Sequence, residues 1–399
     1  NPRTCKWWSR EVTAQLLENG IASTWNDNNE FEIWDEAAGV DLTGRGGTMA
    51  CLRPVQSLLM MRASQRAQIA HAPDKRPYLI SRSGGPGMQR YVQTWTGDND
   101  TNWKTLRYNL RMGHGLSLSG IFNFGHDVGG FAGPKPEPEL FMRWIEQGVY
   151  WPRFTIHSAN SDGSVTEPWM YPELLPQVRA ALRWRERLAP LIYSLLWRAY
   201  AHHEPVLRPL FYEFPGAPEA YGEEDSFMVG PDLLVAPVLE QGAAHRAPWL
   251  PDVHGGWFDL RSGAHRAGGQ RTETEAPLGT APAFMRAGSV LPLGPVRSWQ
   301  DGPLTLRLFP LADGYAVTEI YDDDGEGHVD PLSPPCLIHV EARWPGGVPE
   351  LTVRRLGSHP PRWTEIRLED AAGQPIEASI NGEPAVSSVP IGSIPVASR

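Results

Sequence analysis

Short apolar runs that end in polar clusters recur along the first half of the chain. Ile21–Trp25 ends in Asn26–Glu30, Tyr78–Ile80 in Ser81 and Arg82, and Tyr91–Trp95 in Thr96–Asp98. Ser119–Phe124 runs into the glycine-rich Gly125–Phe131, and Val149–Ile156 into His157. Between and after these runs, Pro54–Ala72, Asn102–Met112, Pro138–Gln147 and the glycine-poor Pro172–Tyr200 carry helical patterning. Strand-like runs alternating with helices predict parallel strands joined by crossover helices. In a closed (β/α)₈ barrel, polar residues at the C-terminal ends of the strands are where chemistry sits. The pattern supplies five such strands, about three short of a closed barrel.

The character changes after Pro205. Dense Pro and Gly turns separate short β-rich runs such as Leu233–Val238 and Leu304–Phe309, with little helical periodicity. This predicts antiparallel β-sandwich material. A break near Gly294–Ser298 divides it, and the tail from about Ser387 reads as loosely ordered. The expected organisation is a partial barrel over 1–205, one β-sandwich over 206–295 and a second over 296–399.

Composition narrows the function. A net charge of −10 speaks against a phosphate-backbone partner, so no nucleic acid is expected. No apolar run approaches the roughly 18 residues of a membrane span. The three cysteines, Cys5, Cys51 and Cys336, are widely spaced, which fits neither a disulfide framework nor a zinc site and predicts buried free thiols. Sixteen tryptophans is a high number. Indole faces stack on the C–H faces of sugars, although core packing is the commoner use of any one of them.

Two carboxylates stand out by position. Asp27, in Trp25-Asn26-Asp27-Asn28-Asn29-Glu30, and Asp98, in Trp95-Thr96-Gly97-Asp98-Asn99, both close a predicted barrel strand. Glycoside cleavage needs two carboxyl groups, one to attack the anomeric carbon and one to exchange a proton with the leaving oxygen and then with water. Their spacing alone fits turn or capping residues equally well.

The surrounding motifs decide between these readings. Trp25–Glu30 (WNDNNE) resembles the W-x-D-M-N-E nucleophile signature of glycoside hydrolase family 31, and Arg82–Asn99 resembles that family's acid/base segment ending in W-x-G-D-N. Phe124–Phe131 (FGHDVGGF) is similar to its G-x-D-x-G-G-F segment, and Pro152–His157 (PRFTIH) to the strand ending in a sugar-binding histidine. Phe227–Val238 and Phe284–Leu293 resemble the hallmark runs of the proximal C-terminal β-domain, and Tyr321–Glu326 (YDDDGE) the acidic turn of the distal one. The resemblance runs from about residue 10 to about 360.

It implies a C-terminal part of a (β/α)₈ TIM barrel, about strands 4 to 8, followed by two antiparallel β-sandwich domains. It implies Asp27 as nucleophile and Asp98 as general acid/base, with Trp25, Arg82, Trp95, Asp127, Phe131 and His157 binding substrate. Asn26, Asn29 and Glu30 are candidate supports. Arg82 is expected beside Asp27, and Trp95 is expected to give Asp98 a less polar setting. No metal or cofactor is implied, since two carboxylates suffice. The expected partner is an oligosaccharide or α-glycoside, α-glucoside first and α-galactoside or α-xyloside second. An α-glycosyltransferase and a non-catalytic carbohydrate-binding relative are the alternatives.

Asn28 departs from the family's Met, and Phe31–Gly47 is longer and more polar than a minimal version. The family's earlier strands and N-terminal β-sandwich have no counterpart in this sequence, so residues 1–399 by themselves are expected to show little or no turnover.

Overall fold

The computed structural model describes residues 1–42, 45–296 and 302–397. Strands Ser23–Asn26, Tyr78–Ser81, Gln93–Trp95 and Phe124–Gly125 form a parallel sheet in that order. Asp127–Val128 pairs in parallel with Thr155–Ile156. Ser23–Asn26 is an edge of its sheet, and the described strands form a partial barrel.

The strands are shorter than the apolar runs suggested. Ser119 closes the preceding helix and Gly120 turns at φ 79°, leaving only Phe124 of that run in a strand. Val149 likewise caps a helix, and only Thr155–Ile156 of its run is extended. Apolarity marked burial at these positions and did not report strand conformation.

Helices Met49–His71 and Trp103–Leu118 cover the sheet, while only the turn Met88–Arg90 separates Tyr78–Ser81 from Gln93–Trp95. A helix over Pro2–Gln15, absent from the sequence expectation, packs Val12 and Trp8 against Ala67 of Met49–His71. The predicted Pro172–Tyr200 helix is broken. It becomes a 3₁₀ turn and two helices, Leu175–Arg187 and Ala189–His202. Pro190 opens the second of these, where its missing N–H costs nothing.

Helix Pro138–Gly148 is buried on nearly every face, because the barrel lies on one side and the following β-domain on the other. Its charges are paired accordingly. Arg143 Nη1 donates to Glu146 Oε2 at 2.9 Å, and Arg143 Nη2 donates to the carbonyls of Ala243 and Ala276, each at 2.9 Å. Burial pushes the Glu146 carboxyl up to about 7, against the pull of Arg143. Arg143→Ala is therefore expected to destabilise the protein by about 3–5 kcal/mol. Because Glu146 escapes by taking up a proton, the loss should be larger above about pH 7 than near about pH 5. Urea denaturation at the two pH values measures this, and a loss independent of pH would rule the explanation out.

The remainder is β-rich. A six-stranded antiparallel sheet runs His265–Arg266, Trp257–Asp259, Ala283–Arg286, Leu233–Val235, Phe227–Val229, Leu207–Arg208. Beyond it, Ser289–Leu293, Pro303–Phe309, Glu365–Glu369 and Ser388–Pro390 face a sheet built from Tyr315–Asp322, Cys336–Arg343, Glu350–Leu356, Ala378–Ile380 and Glu383–Val386. Leu304, Leu306 and Leu308 of one sheet meet Ile320, Ile338, Val340 and Val353 of the other in a single core. Most pairings are antiparallel. Pro303–Phe309 with Glu365–Glu369 and Glu350–Leu356 with Ala378–Ile380 pair in parallel.

As far as residue 397 the tail is not loose: Ser388–Pro390 extends a sheet, and Ile394 is buried in the core. Of the cysteines only Cys336 is buried, and Cys51 is exposed. The division into 1–205, 206–295 and 296–399 remains a proposal. Ser289–Leu293 already pairs with Pro303–Phe309, and residues 297–298 of the suggested break lie outside the described residues.

The acidic turn of the distal sandwich docks on the barrel. Asp323 accepts from Arg76 at 3.0 Å, Tyr193 at 2.6 Å and Tyr321 at 2.7 Å, just ahead of the Tyr78–Ser81 strand. No described helix is long and apolar enough to cross a membrane.

Candidate active site

Strand alternation aims the chemistry. In Ser23–Asn26, Thr24 and Asn26 are buried against helix Met49–His71, where Gln68 Nε2 donates to Thr24 Oγ1 and Ser64 Oγ to Asn26 Oδ1. The two-residue period then turns Trp25 and Asp27 to the opposite, open face. Asn26 registers with Ser81 and Ser81 with Thr94, so Asp27, Arg82 and the Trp95–Asp98 turn leave the sheet side by side.

Arg82 ties the site together. Its Nη1 lies 3.1 Å from Asp27 Oδ1 and 3.0 Å from Asp98 Oδ2. Its Nε and Nη2 grip Glu30 at 2.6 and 3.1 Å in a fork, and Nη2 also donates to Asn28 Oδ1. The Arg82 hydrogen bond holds the Glu30 carboxyl below its ordinary range, and Glu30 in turn raises the guanidinium above its own.

The support is dense. Asn29 Nδ2 donates to Ser81 Oγ at 2.8 Å and Asn29 Oδ1 accepts from Ser83 N at 2.9 Å, while Ser57 Oγ donates to the Asn29 carbonyl at 2.6 Å. The departure at Asn28 has a physical reading. The residue has φ 48°, a left-handed conformation that Asn tolerates better than Met, and its side chain contacts Arg82.

The remaining candidates surround these carboxylates. The Trp25 and Trp95 rings lie 4.8 Å apart at 58°, Trp25 is 5.7 Å from the His157 ring, and Phe131 is 5.3 Å from it. His157 is exposed, and Trp95 is buried. Asp127 is fully buried, and Arg153 Nη1 donates to its Oδ1 at 3.4 Å. Burial pushes the Asp127 carboxyl up to about 7; Arg153 opposes this, and Asp98 and Asp27 add to it. Its neighbour His126 is depressed to about 3 by burial, with Arg153 adding to the effect, so it is a neutral packing group that accepts from Trp144 Nε1. Gly130 has φ +87°, and a Cβ there would come within 2.4 Å of Thr101 Oγ1, so the glycine permits the close approach of two loops.

The setting of Asp98 differs from the one expected. Its side chain is 47% exposed and meets Arg82, while the Trp95 ring packs against Trp25 and Arg153. Arg153 was missed in the sequence reading. The signal was present: Arg153, Thr155 and His157 alternate in PRFTIH, which puts the arginine on the face of the histidine. Cavities of about 230 and 300 Å³ lie at the domain junctions and not at the carboxylates, which occupy an open mouth. Among the described residues no group of His, Cys, Asp and Glu is arranged to hold a metal.

The family models for the glycosyl hydrolases family 31 TIM-barrel domain and the glycosyl hydrolase family 31 C-terminal domain match residues 1–195 and 203–291. The chain belongs to glycoside hydrolase family 31. Among its relatives, Alpha-glucosidase 2 of Bacillus thermoamyloliquefaciens is 31% identical over 373 residues, covering 91% of this chain and 47% of the relative. Neutral alpha-glucosidase C of Mus musculus is 35% identical, covering 82% of this chain and 37% of the relative. The solved family 31 dextranase of Flavobacterium johnsoniae, complexed with glucose, superposes with a TM-score of 0.84 at 25% identity over 93% of this chain and 48% of its own. The family 31 alpha-xylosidase of Xanthomonas citri gives 0.82 at 27% identity over 98% and 45%. The chain thus spans about half the length, or less, of these relatives.

Proposed function

We propose that this chain carries the catalytic carboxylates of a retaining, exo-acting α-glycosidase. The observation that carries the reading is the shared nitrogen of Arg82. Two carboxylate oxygens within about 3 Å of one atom are at most about 6 Å apart, compatible with the roughly 5–5.5 Å of retaining enzymes and short of the roughly 6.5–9.5 Å of inverting ones. In this reading Asp27 attacks the anomeric carbon as Asp98 gives its proton to the departing oxygen, leaving a glycosyl ester on Asp27. Asp98, now a carboxylate, takes a proton from water as that water displaces Asp27, and the sugar leaves with its original anomeric configuration.

Arg82 and His157 donate to sugar hydroxyls, Asp127 accepts from them, and Trp25, Trp95 and Phe131 wall the sugar ring. Glucose is the first substrate choice, in line with the α-glucosidases among the relatives. An α-xyloside is the second, because the X. citri alpha-xylosidase superposes with a TM-score of 0.82. The test is a panel of p-nitrophenyl α-glycosides of glucose, galactose and xylose, run on the protein as encoded with Asp27→Ala beside it. Release from one sugar, lost in the variant, names the sugar. Transfer to an added sugar acceptor identifies a transferase, and tight sugar binding without release identifies a binding protein.

A further inference from the structure

Pro152–His157 carries an arginine to which the hydrolytic scheme gives no task. Arg153 is 4% exposed. Its guanidinium carbon lies 5.3 Å from the centre of the Trp25 ring and 5.7 Å from that of Trp95, and its Nη1 donates to Asp127. Among the described residues, no protein atom accepts from Arg153 Nε or Nη2 and none donates to Asp127 Oδ2. Burying a guanidinium is costly unless its charge and donors are used. Arg185 shows the structural solution: its donors go to the backbone carbonyls of Val149, Trp151 and Pro152. Arg153 instead directs its charge at one carboxylate and two indole faces in the mouth of the barrel.

We propose that Arg153 is a positioning residue, which holds Asp127 as a carboxylate able to accept from two substrate hydroxyls and fixes the Trp25–Trp95 wall beside it. The ligand in this statement rests on the glycosidase reading; the charge role does not. The groups around the pair make Arg153 decisive. Asp27 and Asp98 face Asp127 and disfavour its charge, as does its burial. His126 is neutral, and Tyr78, which faces Arg153, carries no charge near neutral pH because burial raises it further. Arg153 acts against all of these on Asp127. Without it, Asp127 ionises only at higher pH.

The test uses Arg153→Met, which keeps length and apolar contact with the indoles, and Arg153→Lys, which keeps the charge. Infrared difference spectra read the Asp127 carboxyl directly, as the band that Asp127→Asn removes. Its titration is expected to move up by more than about one pH unit in Arg153→Met and to return in large part in Arg153→Lys. If Arg153→Met does not fold, Arg153→Gln carries the same comparison.

In α-glucoside hydrolysis by Arg153→Met, KM is expected to rise about 10–100-fold with a smaller effect on kcat. The acid limb of kcat/KM should move in the same direction as the band. The Asp127→Asn/Arg153→Met double variant should cost no more than Asp127→Asn alone. A band that stays in place, or losses that simply add, overturns the proposal. If the band moves but the wild type cleaves no α-glycoside, Arg153 keeps its role and the glycosidase reading falls.

Discussion

Asp27→Ala is expected to lower the rate of α-glycoside hydrolysis by on the order of 10⁴-fold or more, because no covalent intermediate can form without the attacking carboxylate. The loss should not come from unfolding. The Asp27 side chain is 43% exposed, and Arg82 keeps Glu30 and Asp98 as partners, so the melting temperature should change little. A smaller variant sharpens the test. Asp27→Gly leaves room for azide to take the place of the carboxylate and attack the anomeric carbon from the same side. The expected product is the β-glycosyl azide, with partial return of leaving-group release. Retention of more than about a tenth of wild-type activity by Asp27→Ala would falsify the assignment, since losing a true nucleophile costs far more.

Much of this site was legible before the structure because it is local in sequence. Trp25 to Glu30 fold into one strand end and one turn, so the two-residue period already puts Trp25 and Asp27 on one face. The gathering of Arg82 and Asp98 around Asp27 follows from parallel strands in register; strand–helix alternation implied the pairing of Ser23–Asn26 with Tyr78–Ser81, whereas only a turn precedes Gln93–Trp95. What was not legible is non-local or depends on conformation. The value of Asn28 lies in a positive φ that no pattern of apolar residues reports. The Arg153–Asp127 contact joins two strand ends whose approach depends on Gly125, where a Cβ would come within 2.1 Å of the Arg153 carbonyl oxygen. The long helix after Pro172 looked continuous because its apolar period survives the break at Pro190, where only the backbone hydrogen bond is lost. The early helix Pro2–Gln15 was missed because most of its residues remain exposed, and only Val12 is fully covered.

Asp98→Ala should separate substrates instead of silencing all of them. A general acid matters in proportion to how badly the leaving group needs a proton, and its removal typically costs on the order of 10²–10⁴-fold. For an oligosaccharide the departing alkoxide is strongly basic, so kcat/KM should fall across that range. A p-nitrophenolate leaves without help, so kcat/KM for the aryl glycoside should stay within about tenfold of wild type. The second half of the reaction responds differently. In the proposed scheme Asp98 also activates the water that frees Asp27, so the glycosyl ester should accumulate and p-nitrophenol should appear in a burst followed by a slow steady rate. The shared contact of Arg82 supports this division of labour. With Asp27 esterified in the proposed scheme, Arg82 Nη1 would have one carboxylate to hold where it had two, and that one is Asp98. Azide needs no base, so it should restore turnover of Asp98→Ala and attack from the face opposite Asp27. The product would then be the α-glycosyl azide, where Asp27→Gly gives the β-anomer. Two variants of one site yielding opposite anomers would fix which carboxylate stands on which side of the sugar. Equal losses on the oligosaccharide and the aryl glycoside, with no burst, would mean that Asp98 is only a partner of Arg82 and that the acid/base lies elsewhere.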